Sequence, residues 1–120
     1  MARDFTDLEI YHLAEELIID IYKISKRFPK EEVYGITSQL RRATVSVAIN
    51  IAEGYGRYHF KDRVLFLYNS RGSLLEVKSL ILISFKLGFL KKKDKEELVS
   101  KIDRLGVKIN NFIGYLKKKK

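Results

Sequence analysis

Residues 50–60, NIAEGYGRYHF, gather an Asn, a Glu, an Arg, a His and a Gly-Tyr-Gly triplet into one short stretch. Such residues could cradle a phosphate or exchange a proton. A Walker loop needs G-x-x-x-x-G-K-[ST] after a strand, and a dinucleotide loop needs G-x-G-x-x-G in the same context. Here Gly54-Tyr55-Gly56 follows a helical pattern, so both nucleotide readings fail on context. The glycines are then expected to stop a helix and turn the chain. Arg57 and Lys61 fall beside that helix C-terminus, where the dipole favours cations. Elsewhere His12 and Glu16 have the i, i+4 spacing of a metal pair, but no further ligands join them. His59 is distant in sequence, and no nucleophile–base–orienter set can be assembled. The residues therefore indicate no catalytic site, no metal and no cofactor, and point away from an enzyme.

Charge is more informative. The chain carries 24 basic and 15 acidic residues, a net charge of +9, which concentrates polyanions and makes RNA or DNA the leading partner class. The candidate contacts are Arg41, Arg42, Arg57, Lys61, Arg63, and Lys117 and Lys118 of the terminal lysine run. Tyrosines and phenylalanines interleave with basic residues at 55–68, a composition that permits base stacking. Lysine runs also serve solubility alone. The alternative is thus a protein–protein scaffold whose positive charge is incidental.

The elements that must position these residues read as helices. The length of 120 residues fits one domain, expected over 1–116 with a basic tail at 117–120. A hydrophobic fraction of 46% argues against disorder. With no cysteine, disulfides and thiolate metal sites are excluded, and a reducing cytosol is the natural compartment. The N-terminus carries acids where a signal peptide needs an apolar run. Arg71, Glu76 and Lys78 interrupt the apolar region 64–87, so no membrane span is expected.

Ile10, Ala14, Leu17, Ile21, Ile24 and Phe28 predict a helix over about 7–26, started by a Thr6–Glu9 capping box and ended before Pro29. A second helix begins between 30 and 37 and reaches about Glu53. A third runs from about Lys61 to Leu87 and stops at Gly88. Leu98, Ile102, Leu105, Ile109, Phe112 and Leu116 form the 3.5-residue seam of a fourth, with Asp94 and Glu97 as acidic start signals. Short joints imply an all-α, antiparallel up-and-down four-helix bundle.

At about 100° per residue, Gln39, Arg42, Ser46, Asn50 and Glu53 fall on one line of the second helix, flanked by apolar residues on both edges. The third helix is read with Val64, Leu67, Leu74, Leu75, Leu82 and Phe85 as its apolar face, and Arg71 and Lys78 at its centre. Folding the two helices back on each other would set Arg71 near Ser46 and Asn50, and Arg63 near Glu53. That seam is either an internal hydrogen-bonded network or the lining of a subunit interface or channel.

YGITSQLRRATVSVAINIAEGYGR (34–57) and FLYNSRGSLLEVKSLILISFKLGFL (66–90) carry the runs S-Q-L-R-R-A, N-I-A-E-G and R-G-S-L-L-E. In these the chain resembles the four-helix-bundle family encoded in intervening sequences of bacterial large-subunit ribosomal RNA. Phe5 to Tyr11 adds a short N-terminal match. The resemblance implies a ring-like homopentamer of antiparallel bundles, similar to the basic pentameric ring that partners a reverse transcriptase and RNA in diversity-generating retroelements. Carried over by motif, Gln39, Arg41, Arg42, Asn50, Glu53, Gly54, Arg57, Arg71, Gly72, Ser73 and Glu76 are family-pattern positions, expected to serve structure and assembly. Ala48 and Ile49 stand where the family commonly has Pro-Ser, so the second helix is expected to run straighter.

Overall fold

Apolar residues at spacings of three and four fold this chain into helices. The computed structural model describes residues 3–119. Lys120, the last residue of the expected tail, lies outside the described residues. Among the described residues there are four α-helices and no strand: α1 (Glu9–Ser25), α2 (Ile36–Tyr55), α3 (Phe60–Lys86) and α4 (Lys92–Lys117). Short 3-10 turns at Phe5–Asp7 and Lys30–Glu32 precede α1 and α2. No helix among these is long and apolar enough to cross a membrane.

Helix α1 packs on α2 and α4, and α3 packs on α2 and α4, so the core runs down the centre. Leu17, Ile21, Leu40, Val47, Ile51, Val77, Ile81, Leu105 and Ile109 are fully buried there. Partners fall along α3 as they rise along α2. Ser46 meets Ser73 at 3.1 Å, the Ser70 hydroxyl donates to the Val47 carbonyl at 2.8 Å, and Gly54 approaches Arg63. Polar links tie α4 to its neighbours in the same sense, Arg71 to Asn110 and Lys78 to Asp103 from α3, Asp20 and Glu9 to Lys101 and Lys108 from α1.

Several local expectations change. Helix α1 is not opened by a Thr6–Glu9 box, because the chain first makes the 3-10 turn and Leu8 stays extended as the N-cap. The Thr6 hydroxyl instead donates to Asp4, while the Arg3 and Asp4 amides donate to the Asp7 carboxylate. Helix α4 buries Ile113 in place of Phe112, which is half-buried. A straight helix at 3.6 residues per turn drifts off a strict 3.5-residue seam. On α3 the buried stripe is Val64, Leu67, Ser70, Leu74, Val77, Leu80, Ile81 and Ser84. Leu75 and Leu82 are 63% and 41% exposed, so Arg71 and Lys78 border the buried face instead of piercing it. Helix α2 is continuous through Ala48 and Ile49.

Gly88 behaves as expected. With φ +81 it carries the chain out of α3, and Phe89 N–H donates to Ser84 O at 2.9 Å while Gly88 N–H donates to Phe85 O at 3.0 Å. This is the Schellman pattern that satisfies the last carbonyls of a helix.

Two modest effects follow. Arg71 is half-buried, its Nη1 donates to the Asn110 side chain at 2.8 Å, and its guanidinium lies 4.7 Å from the Tyr68 ring centre. Arg71→Ala should therefore lower stability by only about 1 kcal/mol in chemical denaturation, since the charge it removes is partly hydrated. On the α1–α4 side, the hydrogen bond to Asp20 holds the Lys101 ammonium above its ordinary pKa of 10.5, against a smaller opposing effect of burial, with further help from the charges of Asp20, Glu16 and Glu97. A pKa raised by folding stabilises below the unfolded value and loses that contribution as pH rises through the folded one. The denaturation midpoint of the native chain should fall above about pH 10.5 more than that of Asp20→Asn, the comparison cancelling tyrosine ionisation.

Candidate nucleic-acid interface

At the end where α2 stops and α3 starts, the backbones come unusually close. A Cβ on Gly54 would lie 3.0 Å from the Phe66 Cβ and 3.2 Å from the Arg63 carbonyl oxygen. Gly54 is thus required by helix packing and not by the turn, a correction to the sequence expectation. Helix α2 continues past it to Tyr55, and Gly56 ends it with φ −76, a conformation open to any residue. Just upstream, the Asn50 side-chain amide donates to the Ser46 carbonyl at 2.9 Å and to its hydroxyl at 3.1 Å. Ser46 and Asn50 are half-buried and linked to Ser73, whereas Gln39, Arg42 and Glu53 of the same line are exposed. Arg71 is turned to α4, and Arg63 donates through Nε to the Arg57 carbonyl at 2.6 Å; neither meets the α2 partners expected for it.

This joint holds its cations on aromatic rings. The Arg57 guanidinium lies 4.5 Å from the Phe66 ring centre. That of Arg63 lies 5.2 Å from Phe60 and 6.0 Å from Tyr55. The end of α4 arrives beside them, with the Lys117 ammonium 5.3 Å from Tyr68 and that of Lys119 5.1 Å from Tyr115. Lys61 and Lys117 share a shallow depression with Phe60 and Leu116, and Lys118 caps α4. Tyr68 lies between Lys117 and Arg71, so Arg71 extends the basic surface along α3. A cation on a ring face is oriented by the ring quadrupole while its other donors remain available.

Several cations away from this end are paired. Arg27, Lys78, Lys92, Lys101 and Lys108 each sit within 4.0 Å of a carboxylate. Among the described residues, no such partner is found for Arg57, Lys61, Arg63, Lys117, Lys118 or Lys119. Asp62 and Glu53 are the exposed acids of this joint. Tyr58, 88% exposed, adds an open aromatic face.

Arg41 and Arg42 stand apart. Arg41 donates through Nε to the Ser25 hydroxyl at 2.8 Å and lies 4.7 Å from the Tyr22 ring centre, near the far end of α1. At 1.5 Å per residue, they stand roughly 24 Å along α2 from Arg57. The candidate basic residues therefore split into an end cluster and a separate pair. Sequence reasoning named the lysine tail but missed the rings under Arg57, Arg63, Lys117 and Lys119, because pairs such as Arg57 with Phe66 span a turn whose geometry no periodicity encodes.

The histidines stay separate from any such grouping. His12 contacts Glu15 at 3.5 Å, and His59 caps α3 with its ring against Tyr58. Among the described residues no three His, Cys, Asp or Glu side chains are grouped to hold a metal.

Comparison with known families matches residues 6–111 to the 23S rRNA-intervening sequence protein. No curated protein matches the chain.

Proposed function

The chain belongs to the 23S rRNA-intervening sequence protein family, and on that footing we propose that it is a non-enzymatic cytosolic protein that holds single-stranded RNA on the basic end of its bundle. The observation that carries this reading is the cluster of cations without carboxylate partners at this end, Arg57, Arg63 and Lys117 set on aromatic rings and Lys61 in the depression beside Phe60. Phosphates neutralised there release counterions, and exposed rings such as Tyr58 accept bases in any order. Binding is therefore strongly salt-dependent and weakly sequence-selective.

The assembly that goes with this reading is an antiparallel up-and-down bundle repeated in a homopentameric ring. The falling register of α2 against α3 and of α3 against α4 supports the first part. The second is supported by the outward side of α3, where Leu65, Leu75, Leu82 and Ile83 are 56%, 63%, 41% and 46% exposed. Apolar exposure along one helix favours burial against another subunit. The same surface favours the scaffold reading, in which the ring docks a protein and the charge is incidental.

Size-exclusion chromatography with light scattering, read at nucleic-acid and protein wavelengths, tests the proposal. A ring-sized particle with RNase-sensitive absorbance is expected. A ring of the same size that neither copurifies with nucleic acid nor binds added RNA would leave the scaffold reading in its place.

A further inference from the structure

Behind the basic rim, a cavity of about 560 Å³ opens between the ends of α2, α3 and α4, within the size range of small-ligand pockets. Leu8, Leu67, Leu116 and Phe112 give it apolar walls, and among the described residues its only charged lining side chains, Arg63 and Lys119, are both cations. The rings of Phe112 and Tyr115 are parallel within 8°, a stacked pair against which a third ring can lie. Arg63 is held in place by its bond to the Arg57 carbonyl and by Phe60 beneath it. A fixed guanidinium is preorganised for a carboxylate.

We propose that this cavity binds a small aromatic carboxylate, its ring beside Phe112 and Tyr115 and its carboxylate between Arg63 and Lys119. An apolar body needs the walls, and a single negative charge answers cations with no acid among the described lining residues. The inference goes beyond RNA binding, although the cavity shares Arg63 with the basic rim, and its test is read without RNA present.

The test is a titration of the full chain with 2-naphthoate, followed by ligand fluorescence and by calorimetry. Saturable binding is expected, weaker by about tenfold for the neutral 2-naphthamide, a difference of about 1.4 kcal/mol. Lys119→Ala and Arg63→Gln should each weaken naphthoate and leave naphthamide unchanged. Lys119 is exposed near the chain end, so its variant reports charge without endangering the fold. Equal affinity for acid and amide, indifference to both substitutions, or no saturation would overturn the assignment. So would decanoate or a nucleoside monophosphate outcompeting naphthoate, since the site would then be lipid-like or part of the RNA surface.

Discussion

Replacing Arg57, Lys61 and Lys117 together with glutamine should weaken single-stranded RNA binding by at least about tenfold and flatten its salt dependence by about two units of log–log slope. Each phosphate contact on a single strand contributes about 0.7 to that slope, so three lost contacts account for the change. Substituting Arg41 and Arg42 is the matched control. They stand at the other end of α2, and Arg41 is already engaged by Ser25 and Tyr22. Their loss should leave the slope nearly unchanged. Fold is not at risk in the triple variant, because Arg57 and Lys61 are exposed in or beside the joint and Lys117 ends α4. Losses in proportion to the charges removed, three against two, would mean that binding follows net charge and not the end cluster.

Gly54→Ala should destabilise the protein by about 1–3 kcal/mol, although alanine is the better helix former by about 1 kcal/mol. The added methyl would meet the Phe66 Cβ at 3.0 Å and the Arg63 carbonyl at 3.2 Å, atoms fixed to the α3 backbone that no rotamer change can move. Helix α3 must then shift away from α2, loosening the Ser70 and Ser73 links. Gly56→Ala supplies the contrast. Its φ of −76 suits alanine and the nearest atom is 3.6 Å away, so it should be neutral or stabilising by about 0.5 kcal/mol. Denaturant midpoints for the two variants separate a packing role from a turning role in the Gly-Tyr-Gly segment.

How far the sequence could be read depends on which physical constraint each element obeys. Helices α1 and α4 bury one narrow stripe each, so counting by threes and fours found Ile10 to Ile24 and Leu98 to Ile109. Helix α3 is apolar around much of its circumference, and periodicity could not tell Leu75 from Val77 or Leu82 from Ile81. Its contacts with α2 run through Ser70 and Ser73, small polar residues that hydrophobic patterning ignores. The polar line on α2 was half legible. Ser46 and Asn50 do enter a network, but Arg71 belongs to α4 because the true stripe on α3 is rotated from the expected one.

The candidate site was legible as a composition and not as a place. Basic and aromatic residues alternate visibly through 55–68, yet only the folded joint sets Arg57 on Phe66 and brings Lys117 to Tyr68. Arg41 and Arg42, conspicuous in sequence, lie too far along α2 to share that surface. Gly54 was noticed for a reason the structure replaces, since close approach of a neighbouring helix leaves no trace in a single chain's pattern.

The most direct test of the central claim is a fluorescence-anisotropy titration of a labelled single-stranded RNA against the purified protein, repeated from about 50 to about 300 mM salt. Log affinity should fall linearly with log salt, steeply for the native chain and visibly less so once Arg57, Lys61 and Lys117 are replaced. An affinity indifferent to salt, or a slope shared by the native and triple-variant proteins, would contradict an RNA interface at this end of the bundle.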